Sequence, residues 1–315
     1  MPAIIGGSSS TGSSLLVNIL NRHSEIYAGP ETHLFTKPRL YNDWQKHKEA
    51  ILTKKGNGLK SPGIHRFNGV ILDDAQSISD LLGQAKSLSQ FADEYFSSFG
   101  KDDWVEKTPA NSYCFDYFLN QFKDGRVILM IRNPYDAIAS MAARGISILK
   151  AASIYMANTL ANFDLRDDAR FRIVSYENLI ANPESIISEV CYFLNISFES
   201  QMLEPEDEVI MMDGWKQNEK GAMGKESIGR FSDLNQELQN EIIIAVEAIK
   251  LNSNEWPFKS VQEQEISDIC RLFGYDHLEL VDRQKTNKLD LWKEELESTI
   301  KLYPTNIFNY PISFK

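Results

Sequence analysis

The richest chemistry in the sequence lies at its beginning. A short apolar run, Ala3-Ile4-Ile5, stops at Gly6-Gly7; the hydroxyl-rich stretch Ser8-Ser9-Ser10-Thr11-Gly12-Ser13-Ser14 follows; apolar residues then recur at Leu15, Leu16, Ile19 and Leu20. This order reads as strand, loop and helix. Backbone N–H groups of such a loop, with the partial positive charge of a helix start, form a site for a phosphate or sulfate. Gly7 and Gly12 have the G-x-x-x-x-G spacing of a nucleotide-triphosphate loop, yet the next position, where that loop carries lysine, is Ser13. Without that lysine to neutralise the β- and γ-phosphates, a P-loop kinase is disfavoured. The competing reading is a serine-rich turn that merely caps a helix.

Further along, several side chains could act on an anion held there. Glu31 and His33, in Gly29-Pro30-Glu31-Thr32-His33, are acid/base candidates if this segment borders the crevice of an open α/β sheet. A solvated first-turn acid and a packing histidine are the plainer alternatives. Lys107 ends the short strand-like run Trp104-Val105-Glu106-Lys107, where it could stabilise developing negative charge or simply be solvated. Arg132 follows Val127-Ile128-Leu129-Met130-Ile131, and Ser140 lies about two helical turns beyond it. A guanidinium there suits a phosphate through paired hydrogen bonds; an ion pair with Asp136, and tight packing of Ser140, are the alternatives. The glycine- and lysine-containing stretch up to Ser227-Ile228-Gly229-Arg230-Phe231 is a candidate anion-binding lid, or else a surface loop.

These residues need a frame to bring them together. Val127 to Ile131 is continuously apolar, as a strand buried on both faces is. Phe171-Arg172-Ile173-Val174-Ser175 is another such strand, leading through Tyr176-Glu177-Asn178-Leu179 to a helix that begins near Pro183. Strands alternating with helices predict an α/β, P-loop-like three-layer fold: a central, mostly parallel sheet flanked by helices. Residues 21–35 read as a loop. Residues 36–100 read as a mostly helical excursion that shapes the substrate pocket, with breaks at Gly56, Gly58, Pro62-Gly63 and Gly69 and one apolar stripe from Leu81 to Phe96. Two late helices carry Leu234 to Ile249 and Ile266 to Phe273. The main domain is expected over residues 1–275, and a C-terminal helical extension, with Trp292 in a charged helix and an aromatic end, over 276–315.

Composition narrows the partners. In 315 residues, 43% are hydrophobic and 11% aromatic, enough for a sizeable core. A net charge of −11 argues against nucleic acid, and means that an anionic nucleotide would need a local basic site. Cys114, Cys191 and Cys270 match no metal or redox spacing and are expected to be buried apolar residues in a reducing compartment. No apolar run is long enough to span a membrane, and the first strand begins at residue 3 without a charged leader. The expectation is a cytoplasmic protein with no transmembrane segment.

Over roughly residues 3 to 275 the ordered motifs resemble the sulfotransferases that use 3′-phosphoadenosine 5′-phosphosulfate (PAPS), specifically the branch holding bacterial members and the tyrosylprotein sulfotransferases. The resemblance implies that Ser9, Ser10, Thr11, Gly12, Ser13 and Ser14 cradle the 5′-phosphosulfate, because Thr11-Gly12-Ser13-Ser14 is similar to the family's S-G-T-T. It implies that Arg132 and Ser140 hold the 3′-phosphate, that Tyr176 lies by the adenine, and that Ser227 and Arg230 belong to a late nucleotide-binding loop. Gly29-Pro30-Glu31-Thr32 resembles the G-x-E-T segment whose glutamate is the base, and Glu106-Lys107-Thr108-Pro109 a segment whose lysine assists at the sulfuryl group. The implied reaction needs no metal, yields 3′-phosphoadenosine 5′-phosphate (PAP), and sulfates a hydroxyl or amine of a small molecule, lipid, saccharide or peptide. One departure is Ser10, where the family usually carries Lys or Arg. It leaves open a second expectation: a non-catalytic PAPS- or PAP-binding protein of the same fold.

Overall fold

Five hydrophobic strands form the sheet on which everything else is mounted. They are β1 (Pro2–Gly7), β2 (Ile26–Gly29), β3 (Asp103–Lys107), β4 (Arg126–Ile131) and β5 (Phe171–Ser175), in the order β2-β3-β1-β4-β5, and every neighbouring pair is parallel. The computed structural model describes residues 1–29, 31–48, 75–204, 228–252, 254–279 and 312–314. Among these, the helices are α1 (Ser13–Asn21), α2 (Pro38–Asn42), α3 (Trp44–His47), α4 (Ala75–Gln84), α5 (Leu88–Ser97), α6 (Phe115–Gln121), α7 (Pro134–Ala142), α8 (Ile148–Leu160), α9 (Tyr176–Ala181), α10 (Pro183–Leu194), α11 (Gln236–Ala248) and α12 (Ile266–Phe273).

Side chains alternate between the two faces of the sheet, so each face buries its own apolar cluster. Ala3, Ile5, Ile128 and Met130 face α1 and α10, through Leu16, Leu20, Ile187 and Val190. Ile4, Val127 and Leu129 belong to the larger cluster on the other side, with Phe35, Phe96, Phe118 and Tyr155. This is the three-layer α/β architecture that the sequence pattern predicts. Cys114, Cys191 and Cys270 are all buried and unbridged.

The sequence pattern and the structure differ in four places. Residues 21–35 contain strand β2, four residues that carry too little periodicity to be seen alone and become a strand by pairing with the edge of β3. The apolar stripe from Leu81 to Phe96 is two helices, because the Ser87 side chain accepts the Gln90 N–H at 3.1 Å and starts α5 afresh. Tyr176 begins a helix of its own, α9, and Pro183 starts α10 at a position where a missing N–H costs nothing. Ile249, expected in a helix, opens β6 (Ile249–Leu251), which pairs antiparallel with β7 (Ile312–Phe314), so the described end of the C-terminal extension is a strand. The glycine breaks at 56, 58, 63 and 69, and the helix around Trp292, lie outside the described residues.

Parallel register sets the position of the site. Gly29 is opposite Glu106, Ile5 opposite Lys107, Gly7 opposite Met130 and Ile131 opposite Ser175. The five carboxyl ends therefore share one edge. From β1 the chain runs on to β2 on one side, and from β4 to β5 on the other, so the switch point lies beyond β1 and β4, where open α/β sheets bind ligands. Gly7 has to be glycine at this point: its φ is 126°, and a Cβ there would collide with the Met130 carbonyl oxygen of the neighbouring strand. Gly7→Ala is expected to lower stability by about 2 kcal/mol or more in denaturant unfolding; an unchanged midpoint would contradict this packing.

Candidate functional site

Between β1 and α1 the chain turns through Ser8 to Gly12 under its own hydrogen bonds. The Thr11 hydroxyl donates to the Ser8 carbonyl at 2.7 Å, and Ser10 and Gly12 take positive φ values of 67° and 86°. Gly12, not a serine, is the N-cap of α1, and it supplies no side-chain cap. The amides of the first turn, around Ser13 and Ser14, thus present the positive end of the helix dipole without a capping oxygen. A serine-capped turn is not what forms here. Gly12 is also tied to the far side of the site, since a Cβ on it would strike the ring of Tyr176.

Beyond β4, Arg132 is buried, and its Nη1 donates to the Ser10 carbonyl at 3.0 Å. Its guanidinium lies 4.8 Å from the centre of the Tyr176 ring, and the Tyr155 hydroxyl donates to its carbonyl at 2.6 Å. Asn133 caps α7 by accepting the Tyr135 N–H at 3.0 Å. Asp136, the alternative ion-pair partner, does stand within ion-pair distance of Arg132 at 3.8 Å, too far for a hydrogen bond, and its oxygens also accept the Gly229 and Phe231 amides at 2.8 and 2.9 Å. Those two bonds dock the late loop on α7 and bring Arg230 Nη1 to 3.3 Å from the Ser140 hydroxyl. Burial lowers the pKa of Arg132, opposed by Asp136, Tyr176 and Glu177 and reinforced by Arg230. Ser227 lies outside the described residues.

Arg144 is a residue that the sequence motifs did not single out. Its Nη2 donates to the Ser10 hydroxyl and its Nε to the Ser140 carbonyl at 3.3 Å, so a cation stands at the very loop position where Ser10 supplies none. Burial lowers its pKa, as does nearby Arg230, while Glu31 opposes the shift. Its sequence signal was weak but present: it follows Ser140 by four residues, in the turn just past the end of α7.

On the other side of β1, Glu31 and Lys107 meet. Both are buried; Lys107 Nζ donates to Glu31 Oε1 at 2.5 Å and to the Ser14 hydroxyl at 3.1 Å, bridging the carboxylate to the first turn of α1. His33 Nε2 is 3.7 Å from Glu31 Oε2. Beneath them, Glu106 is fully buried, and its Oε1 accepts the Thr32 N–H at 2.7 Å, the Thr32 hydroxyl at 2.9 Å and the Thr108 hydroxyl at 2.7 Å. Its Oε2 accepts from Asn111 Nδ2 at 2.6 Å. The site therefore combines an anion-ready helix start, three arginines and a carboxylate–lysine pair along one sheet edge. Among the described residues, no cluster of His, Cys, Asp and Glu could hold a metal ion, and no helix is long and apolar enough to cross a membrane.

Residues 2–200 match the sequence model of the sulfotransferase family. The chain belongs to the sulfotransferase family. Within it, the chain is 24% identical over 230 residues to protein-tyrosine sulfotransferase A of Caenorhabditis elegans, covering 64% of this chain and 52% of that protein. It is 29% identical over 131 residues to the nodulation protein NoeE of Sinorhizobium fredii, covering 42% of this chain and 28% of that one. The chain thus spans about half or less of the length of these relatives. The sulfotransferase domain of a Synechococcus olefin synthase superposes with a TM-score of 0.57 at 21% identity, covering 78% of this chain and 93% of that domain, a likeness of fold.

His33 gives the site a measurable pH signature. Burial is the main reason its pKa is lowered, with Glu31 opposing and Lys37 and Lys107 adding to the effect. The unfolded chain therefore takes up this proton first. The His33 contribution to stability is present above the unfolded value of about 6.5 and is lost as pH falls through the lower folded value. Asparagine tolerates the φ of 58° found at this position, so His33→Asn is expected to flatten the fall of unfolding free energy on acidification below about pH 6.5. Parallel pH–stability curves for the two proteins would contradict it.

Proposed function

We propose that the protein transfers a sulfuryl group from PAPS to a hydroxyl or amine of an acceptor and releases PAP. The observation that carries this reading is the placement, within one acidic chain, of Arg132, Arg144 and Arg230 around an uncapped helix start, next to the buried Glu31–Lys107 pair. Such a donor set suits a ligand with two separated anionic groups.

In this reading, amides and hydroxyls from Ser9 to Ser14 receive the 5′-phosphosulfate. Arg132, Ser140 and Arg230 receive the 3′-phosphate, Tyr176 borders the adenine, and Ser227 belongs to the same late loop. Glu31 takes the acceptor proton as the new bond to sulfur forms. The bond from sulfur to the 5′-phosphate oxygen breaks, and its electron pair leaves on PAP. Lys107, in contact with both Glu31 and Ser14, is within reach of the charge that develops on the transferring group. The Arg144 contact to Ser10 favours catalysis over a non-catalytic PAPS-binding role, because it returns positive charge to the loop on the leaving-group side.

PAP is expected to raise the melting temperature more than AMP or ATP does, and Arg132→Ala to abolish that preference. Equal stabilisation by PAP and AMP in the unaltered protein would sink the assignment. Glu31→Gln should retain PAP binding while turnover of labelled PAPS with a productive acceptor falls on the order of 10²- to 10⁴-fold. Full turnover in that variant would remove Glu31 as the base.

A further inference from the structure

We propose that Glu106 is a positioning residue for the base: its buried carboxylate holds the segment from Glu31 to Leu34 in the conformation that sets Glu31 against Lys107. What the segment then does chemically rests on the sulfuryl-transfer reading above; the clamp does not.

The segment needs such a hold. It leaves the sheet at Gly29, and residues 31–34 lie in neither a helix nor a strand. His33 sits at a φ of 58°, a conformation that a non-glycine residue adopts only when its surroundings impose it. Three consecutive backbone amides end on one network. The Thr32 N–H donates to Glu106 Oε1 at 2.7 Å, the His33 N–H to the Thr108 hydroxyl at 3.2 Å, and the Leu34 N–H to the Thr32 hydroxyl at 3.2 Å. Both hydroxyls in turn donate to Glu106 Oε1. One carboxylate oxygen thus fixes the direction of two hydroxyls and, through them, the backbone on both sides of Thr32.

The other oxygen anchors the clamp to the sheet. Asn111 Nδ2 donates to Glu106 Oε2 at 2.6 Å and to the Ile5 carbonyl of β1 at 3.1 Å, and the Thr108 N–H donates to the same carbonyl at 3.3 Å. The base segment is therefore referenced to the strand from which the anion loop springs. The four groups donating to Glu106 are all neutral, and burial raises its pKa despite their hydrogen bonds. A carboxylate buried among neutral donors is a costly way to add stability, since an apolar residue can fill comparable space at less cost. Its fitness lies in geometry: two oxygens accept several donors at once, which a hydrophobic side chain cannot do.

The test compares Glu106→Ala, Glu106→Gln, Thr108→Val and Thr108→Ser in the full chain. Hydrogen exchange of a peptide covering residues 32–34, PAP affinity, and kcat and KM with labelled PAPS would be measured for each. Glu106→Ala and Thr108→Val are expected to speed exchange at these amides roughly tenfold or more and to cut kcat on the order of 10²-fold, with PAP affinity at the wild-type level. Thr108→Ser should restore both, and Glu106→Gln, which keeps an acceptor, should fall between. If Glu106→Ala does not fold, the Thr108 pair carries the test. Wild-type exchange in folded Glu106→Ala or Thr108→Val would overturn the proposal, as would kcat and PAP affinity falling together as in general unfolding. If the unaltered protein transfers no sulfuryl group, the sulfuryl-transfer reading fails, while the exchange measurements still decide whether Glu106 holds the segment.

Discussion

Parallel pairing of β3, β1 and β4 is the constraint on which the site depends. Because side-chain direction alternates and the hydrogen-bond register is fixed, aligning Ile5 with Lys107 and Gly7 with Met130 sets where each strand ends. Glu31 lies two residues beyond β2, Lys107 is the last residue of β3, the serine loop leaves β1, Arg132 follows β4 and Tyr176 follows β5. Five stretches far apart in sequence are gathered by a single geometric rule. A slip of one residue in any pair would turn Lys107 or Arg132 to the opposite face and dissolve the arrangement.

Electrostatics then separates the edge into two halves that share the α1 start. On one half, Arg132, Arg144 and Arg230 collect positive charge in a chain whose net charge is −11. Their mutual repulsion is offset by Asp136, but its oxygens are mainly occupied by the Gly229 and Phe231 amides. Asp136 thus anchors the late loop while lying within ion-pair distance of Arg132. On the other half, Lys107 and Glu31 compensate each other out of water, a pairing that removal of either partner would unbalance by about 3–5 kcal/mol.

Between the halves, hydrogen bonds do what regular secondary structure does elsewhere. The serine loop is shaped by Thr11 to Ser8, and the base segment by Thr32, Thr108 and Asn111 around Glu106. Buried polar networks of this kind specify one arrangement only when every donor finds an acceptor. Here the acceptor is a carboxylate within a strand, next in sequence to the lysine that faces the opposite layer of the protein.

The sequence by itself determined the elements with long, one-sided patterns and the loop with special backbone demands. The apolar runs of β1, β4 and β5, the helical stripe of α1, and the glycines at 7 and 12 are local properties, readable because strand burial and left-handed turns restrict residue type directly. The order of the motifs along the chain was enough to suggest the family. Tertiary structure decided the rest, because the remaining features exist only as contacts across distance. The four residues of β2 are a strand by virtue of their neighbour, Ile249 leaves its helix to pair with a strand more than sixty residues away, and Arg144 matters because it reaches Ser10 across the space between two loops. Glu106 in sequence is one acid beside a lysine; only the fold brings Thr32, Thr108 and Asn111 to its oxygens, since hydrogen-bond partners at separations of up to 74 residues leave no periodic trace in the chain.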